Sequence, residues 1–436
     1  MFSETSLNIA LPQLMKALQV GQSSIQWLVT GYMLVIGIVL PLSSLLTKWF
    51  TTKKLVLFGI GAFIIGSLIS GFGNNFSIVL VGRMIQGIGT GIILTLMFTI
   101  AMLIFPPNKL GTVNGVLALV IMFAPAIGPT LTGLILAAGS WRDIFFTFAL
   151  ILVIAFVIGL FTLTNVSQIT KPKVDWLSIV LSIIAFSGLI AGASLASEMG
   201  WLSVPVLASL IVGISALVFY VRRQLKLNVP VLNMRVFRHR NFTLGAILVM
   251  IDFGIILSAM YLLPQYLQNR LLVAVALTGI IMLPGGVINA ATSALAGRMY
   301  DSFGAKWPAR IGFAVAFVGA VMLALVTTHS AIWYVILAHI ILMIGAPLAM
   351  SPSQTSALNS LKGLESADGS AILNTMQQIV GALATSFLTV GRNAVTGSAA
   401  FKFTNDVHYG MYFTIALTVI GFIVALFVKD DGKYTD

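Results

Sequence analysis

The chain has 436 residues, of which 58% are hydrophobic and only 8% are charged, and its mean hydropathy is +1.04. A soluble protein of this length carries roughly 25% charged residues, so the composition excludes a soluble globular protein. The formal net charge of +12 would suggest a nucleic acid partner in a soluble protein, but here the basic residues lie in loops between apolar segments, and no nucleic acid is expected.

Fourteen apolar segments follow one another along the chain. They are long enough for helical spans and lack the alternating pattern of membrane β-strands, so the sequence predicts an all-α polytopic membrane protein with 14 transmembrane helices. The predicted helices cover residues 2–18, 25–47, 55–73, 77–103, 110–138, 143–164, 176–197, 203–221, 241–268, 274–297, 311–327, 331–353, 369–391 and 409–428. The first is short for a span, and we expect further native residues before Met1, which would place Glu4 near mid-membrane.

The basic residues collect on alternate loops. Of 24 lysines and arginines, 18 lie on the side of the N terminus, 5 lie on the opposite side, and Arg83 lies within the membrane. We call the first side the basic side. The positive-inside rule predicts that it is cytoplasmic and that both termini lie there.

The order of the segments predicts two pseudo-symmetric six-helix bundles. These are residues 1–166 and 241–430, separated by two additional transmembrane helices (167–222) and a basic cytoplasmic loop (223–240). In each bundle, a charged turn joins the second and third helices. The equivalent positions suggest a duplication, an architecture in which two bundles rock about a central site.

Four motifs lie in these segments. The second charged turn fits the pattern G-x-x-x-D-x-x-G-x-K/R through Gly297, Asp301, Gly304 and Lys306. The fourth helix holds Arg83-x-x-Gln86-Gly87, the fifth holds a stretch from Ala124 to Gly133, and the first holds Glu4 to Pro12. Together they resemble signatures of the major facilitator superfamily. The first-helix motif and the two extra helices resemble its fourteen-helix drug:proton antiporter branch, which performs multidrug efflux.

The resemblance implies roles for several of these residues. In the fifth helix, an antiporter signature implies bending and close packing that seal the cavity on one side, and the charged turn implies gating; these residues are Pro125, Gly128, Pro129, Gly133, Gly297, Asp301, Gly304 and Lys306. The chain departs from the family at Thr132, where a glycine is common. It also carries Thr47 where the first charged turn would carry an aspartate, so the second turn would have to supply the gating carboxylate.

Three charged residues are candidates for proton coupling: Glu4, Asp252 and Arg83. A carboxylate in lipid is costly to ionise and can load and release a proton as its surroundings change. Arg83 requires a partner in the bilayer, and by resemblance it neighbours Glu4. The alternatives are a solvated Glu4 at a helix start, a structural hydrogen bond for Asp252 and a fixed structural pair for Arg83.

The candidates for a substrate cavity are polar and aromatic residues inside predicted helices: Asn8, Tyr32, Gln86, Phe253, Tyr261, Gln265, Asn374 and Gln377. Asn289 is a further polar candidate. For the polar residues the alternative is hydrogen bonding between helices, and for the aromatic ones it is contact with lipid. Tyr261 and Gln265 lie about half a turn around the helix from Asp252, so one face cannot hold all three.

The leading interpretation is a proton-coupled multidrug efflux antiporter of a bacterial cell membrane, a monomer that exports amphipathic or cationic drugs by alternating access. Its partners are the lipid bilayer, small-molecule drugs and protons, and it uses the proton gradient and no cofactor. The chain has no Walker sequence, no cysteine and no cluster of histidines and acids, so ATP use, a metal site and enzyme activity are not expected. The alternative is a proton-coupled or facilitated transporter of a specific metabolite.

Overall fold

The computed structural model describes residues 2–166, 169–171, 174–228, 230–269, 271–273, 275–327, 330–361, 365–394 and 399–428. Over these residues the regular elements are helices. They are α1 (Phe2–Leu18), α2 (Gln22–Trp49), α3 (Thr52–Phe72), α4 (Phe76–Ile104), α5 (Leu110–Ala138), α6 (Trp141–Thr162), α7 (Trp176–Met199), α8 (Val204–Lys226), α9 (Arg240–Asn269), α10 (Val275–Phe303), α11 (Lys306–Ala324), α12 (Ile332–Asn359), α13 (Glu365–Ala394) and α14 (Ala399–Leu426). Short 3₁₀ turns lie at Pro107–Lys109 and Met234–Arg238.

The prediction of an all-α protein is confirmed. By length and composition, ten of the helices can cross a membrane, namely α2–α4 and α6–α12, and the described parts of α5 and α14 hold shorter apolar stretches. Several helices are longer than predicted on the basic side: α8 ends at Lys226, α10 at Phe303 and α12 at Asn359. Their last turns are polar and lie beyond the apolar run, so hydropathy does not detect them, although their backbone hydrogen bonds continue the helix.

The helices pack in two groups, α1–α6 and α9–α14. Buried apolar side chains hold each group together, such as Leu7, Leu28 and Phe145 in the first and Ile255, Phe313 and Leu342 in the second. Between the groups, α5 packs on α10 and α2 packs on α13. Polar contacts join both helix pairs at their ends on the basic side.

Helices α7 and α8 form an additional pair. They approach closely because Gly188 faces Gly213, where an added Cβ on Gly188 would lie 2.8 Å from the Gly213 Cα. On the basic side, Arg223 Nε and Nη2 donate to the Asp175 carboxylate at 2.7 and 2.9 Å. Helix α7 packs on both α2 and α13, so the pair lies along the junction of the two groups.

Candidate functional site

A cavity lies between the two groups of helices. Its empty space is about 510 Å³, part of it open to solvent. Helices α4 and α5 bound it on one side, and α9, α10, α12 and α13 bound it on the other. The lining residues are Leu94, Phe98, Ala118, Ile121, Phe253, Ile256, Asn289, Ser293, Pro347, Met350, Ser351, Gln354, Asn374 and Gln377. The lining is therefore apolar on α4, α5 and α9, and its polar residues lie on α10, α12 and α13, where α12 also adds Pro347 and Met350.

Arg83 is fully buried in α4, at 0% exposure, and it joins α4 to α1 and α2. Its Nη1 donates to Ser3 Oγ at 2.6 Å and to Gln86 Oε1 at 2.7 Å, and its Nε donates to the Leu28 carbonyl at 3.2 Å. The guanidinium carbon lies 4.0 Å from the centroid of the Tyr32 ring. Burying a guanidinium costs several kcal/mol, and these hydrogen bonds and the ring face offset that cost.

The Arg83 cluster extends further through the first group of helices. Gln86 Nε2 donates to Ser67 Oγ of α3 at 2.7 Å, and the Tyr32 hydroxyl lies 2.8 Å from Thr90 Oγ1. Tyr32 and Gln86, predicted for the substrate cavity, thus belong to this cluster and do not line the cavity described above. Their polar atoms are used within the protein.

Glu4 directly follows Ser3 in α1, so its backbone lies beside the residue that binds Arg83. The side chains of Glu4 and Asn8 are outside the described residues. The same is true of Gln265 in α9. The predicted roles of these three residues stay predictions.

Asp252 is fully buried in α9, at 0% exposure. Both carboxylate oxygens have no hydrogen-bond partner among the described residues. It precedes Ile256 by one helical turn, so it lies on the same face of α9 as a cavity residue, but it does not itself line the cavity. Tyr261 packs instead on the apolar core of the second group of helices.

On the basic side, the two groups of helices are joined by what we call the α10–α5 bridge, from Asp301 to Gly111 and Thr112. The Asp301 carboxylate accepts from the backbone N–H groups of Gly111 and Thr112 at 2.8 and 2.7 Å and from Thr112 Oγ1 at 2.5 Å. These are free N–H groups at a helix start, where a negative charge is favourable. Gly297 allows the close approach, because an added Cβ would lie 2.2 Å from the Gly111 carbonyl oxygen. Gly304 ends α10 with φ +70°, a conformation that favours glycine.

Lys306 begins α11 beyond this turn, and its Nζ lies 5.7 Å from the centroid of the Trp307 ring. The four residues of the charged turn thus lie together at the basic-side end of α10 and the start of α11. Only Asp301 among them forms the polar contacts of the bridge.

A second connection, the α2–α13 bridge, joins Lys48 and Ser44 to Asp368. Lys48 Nζ lies 3.3 Å from Asp368 Oδ1, with side-chain exposures of 9% and 4%, and Ser44 Oγ also donates to that oxygen. Thr47 donates to the Ser44 carbonyl at 2.7 Å. Lys48, which follows Thr47 at the position where the family carries an aspartate, therefore supplies the cation of the α2–α13 bridge. The sequence did not predict this ion pair.

The fifth-helix motif lies in α5 beyond the cavity residues Ala118 and Ile121. Gly128 is buried, whereas Gly133 is exposed, with no described atom within 4 Å of an added Cβ. The close packing predicted for the motif is thus not formed at Gly133 among the described residues. The side chains of Pro125 and Pro129 are outside the described residues.

Of the predicted cavity residues, Phe253, Asn374 and Gln377 line the cavity, together with Asn289. Sequence reasoning missed Ser351, which lies inside the predicted twelfth helix, and Gln354, which lies one residue beyond its predicted end at 353. Their signal was a spacing of three residues that places both on one helix face, as it does for Asn374 and Gln377. The apolar wall carried no comparable signal, since most apolar residues in such a chain face lipid.

The chain is similar to proteins of known type. Residues 1–175 and 176–385 match the family model of the Major Facilitator Superfamily. The chain is 41% identical over 441 residues to Lincomycin resistance protein LmrB of Listeria monocytogenes, covering 98% of this chain and 94% of that protein. It is 42% identical over 444 residues to LmrB of Bacillus subtilis, covering 98% and 93%. The structure resembles that of the proton:xylose symporter XylE, with a TM-score of 0.65, 14% identity, and coverage of 98% of this chain and 93% of that one.

Proposed function

Because the chain belongs to the Major Facilitator Superfamily, we propose that this multi-pass membrane protein is a proton-coupled multidrug efflux antiporter that exports amphipathic or cationic drugs by alternating access. The observation that carries the proposal is the cavity between the two groups of helices, lined by both and bridged on the basic side. The names of the relatives add lincomycin to the proposed drugs.

All fourteen helices cross the bacterial cell membrane in this proposal, with both termini in the cytoplasm. The distribution of 18 basic residues on one side against 5 on the other supports that orientation. The two bridges then close the cytoplasmic side, and the cavity can load or release a solute only from the opposite side. Breaking both bridges is the step that exposes the cavity to the cytoplasm.

Glu4 and Asp252 are the proposed proton carriers, and no cofactor is involved. A buried carboxylate is favoured in its neutral form, so Asp252, with no described hydrogen-bond partner, can hold a proton in the closed core. Glu4 directly follows Ser3, which accepts a hydrogen bond from Arg83. A guanidinium near a carboxyl group promotes release of the carboxyl proton. Binding of a drug and binding of a proton then alternate as the helix groups move.

The test is transport by the purified protein in liposomes with an imposed pH difference, read with a pH-sensitive dye as lincomycin is added. The wild type should release protons into the lincomycin-containing compartment, and Glu4→Gln should abolish this flux. The matched control is Glu198→Gln in the last turn of α7, a helix that belongs to neither group, and it should leave the flux unchanged. Drug movement that continues at the same rate after the pH difference is collapsed would instead identify a facilitator.

A further inference from the structure

The cavity wall is uncharged. None of its fourteen described lining residues is an acid or a base. Asp252 is buried one turn from Ile256 and does not line the cavity, and Arg83 is engaged in its own cluster. A permanent cation that enters this cavity loses hydration without meeting a described carboxylate, which is unfavourable.

The polar half of the wall contains hydrogen-bonding atoms that have no partner within the described part of the chain. They are Asn289 Oδ1, Ser351 Oγ and Gln377 Nε2, and each residue is less than 9% exposed. Leaving a buried donor or acceptor unpaired is unfavourable, so a ligand that supplies the missing partner gains binding free energy. Asn289 Oδ1 is an acceptor, Ser351 Oγ can donate or accept, and Gln377 Nε2 is a donor. A ligand that pairs with all three must carry both hydrogen-bond donors and acceptors.

Other polar atoms of the same wall are already occupied. Ser293 Oγ donates to the Asn289 carbonyl at 2.9 Å, and Asn374 Nδ2 donates to the Ser370 carbonyl at 3.0 Å. Asn289 Nδ2 contacts Met343 Sδ at 3.2 Å, which leaves its Oδ1 for a ligand. The unpaired atoms are thus confined to α10, α12 and α13, opposite the apolar side chains of α4 and α5.

We propose that this cavity selects uncharged amphipathic molecules that present hydroxyl and amide groups on one face and an apolar surface on the other. Helices α10, α12 and α13 bind the polar face, and α4 and α5 pack on the apolar face. The inference rests on the proposed function in that the same cavity is the transport site. It narrows the proposed drugs to molecules that are uncharged when they enter the cavity, which for an amine such as lincomycin is the deprotonated form.

The experiment is equilibrium binding to the purified protein in detergent, by isothermal titration calorimetry, with no pH difference. The probes are chloramphenicol, a neutral nitroaromatic diol with one amide, its deacylated amine, which keeps the ring and both hydroxyls but is a cation at neutral pH, and tetraphenylphosphonium, a cation without hydrogen-bonding groups. Chloramphenicol should bind at least about tenfold more tightly than either cation. Tighter binding of a cation, or no binding of chloramphenicol, overturns the proposal.

Two substitutions of the same chemistry test the wall itself. Ser351→Ala removes an unpaired hydroxyl and should weaken chloramphenicol binding about fivefold. The matched control is Ser353→Ala in the same helix, outside the cavity lining, which removes a hydroxyl already bonded to the Ala349 carbonyl at 2.7 Å and should leave binding within about twofold. Gln377→Leu should weaken it by about tenfold. Equal effects of the two serine variants would contradict the proposed polar face. Since no proton gradient is present, these results stand apart from a failure of proton coupling in liposomes.

Discussion

The α10–α5 and α2–α13 bridges close the same side of the molecule with different chemistry. In the first, Asp301 binds the free N–H groups at the start of a helix, and in the second, Asp368 binds the side chains of Lys48 and Ser44. Both carboxylates belong to the second group of helices, and both sets of donors belong to the first. A duplicated charged turn would instead place one aspartate on each group.

This difference shows how the chain accommodates Thr47. The carboxylate absent from the end of α2 is replaced by one on the facing helix, and Lys48 becomes the partner. The bridge made by side chains can be inverted by exchanging two residues. The bridge made to backbone N–H groups cannot, because no substitution changes the sign of a helix start.

The largest expected effect is that of Lys48→Met. Removing one partner of a buried ion pair costs about 3–5 kcal/mol. Here that cost destabilises the conformation that is closed on the basic side relative to the open one. Since the chain has no cysteine, spin labels on Phe50→Cys and Phe303→Cys, both exposed and on opposite helix groups, report the separation without background. Their distance by double electron–electron resonance should increase.

The exchange Lys48→Asp with Asp368→Lys is the control and should restore much of the short distance. An unchanged distance in Lys48→Met would show that the pair does not hold the closed state.

Gly297→Ala should have the next largest effect, about 1–3 kcal/mol against the closed state, because its methyl group would overlap the Gly111 carbonyl oxygen. The same label pair measures it. Gly133→Ala is the matched control, since its methyl group meets no described atom within 4 Å, and it should leave the distance unchanged. Similar results for both glycines would argue against tight packing of α10 on α5.

Asp301→Asn should cost less, about 1–2 kcal/mol, because the amide keeps one oxygen for the N–H groups of Gly111 and Thr112 while the charge is lost. The label distance should shift in the same direction as in Lys48→Met but for a smaller fraction of molecules. An effect larger than that of Lys48→Met would reverse the ranking of the two bridges.

The smallest effect should come from a pair outside both bridges. Hydrogen bonds from Arg223 lower the pKa of Asp175 to about 2, so the pair stabilises the fold above pH 4 and the stabilisation is lost as the pH falls toward 2. Because the pair is partly exposed, Asp175→Asn should cost on the order of 0.5 kcal/mol at pH 7. Thermal unfolding should show a slightly lower Tm for the variant at pH 7 and a smaller difference at pH 3, with the label distance unchanged. A difference that grows as the pH falls would contradict the assigned pKa.

The helices could be predicted from the sequence because contact with lipid requires apolar side chains within each spanning segment itself. The prediction of 77–103 for α4, for example, compares with Phe76–Ile104. Contacts between segments that are distant in the sequence produce no comparable local pattern. In the sequence, Lys48 could not be distinguished from the other basic residues of the loops. Its partner Asp368 is 320 positions away, and the two residues come together only because α2 packs on α13.

The cavity was predictable in part for the same reason. Asn374 and Gln377 are polar residues on one face of an apolar helix, so they are conspicuous, and both line the cavity. Leu94 and Phe98 also line it but are indistinguishable in sequence from residues that face lipid. Which apolar face meets the second helix group is decided by packing alone.

Helix α7 has a further consequence for solutes that travel within the bilayer. Ile190 reaches into the notch at Gly37, where its Cδ1 lies 2.2 Å from the place of an added Cβ, and it also packs near Ile379 of α13. The aliphatic side chain thereby plugs the crevice between two helices from opposite halves. A hydrophobic compound diffusing sideways through the acyl chains therefore meets a packed wall on this flank, where α7 covers the junction of α2 and α13.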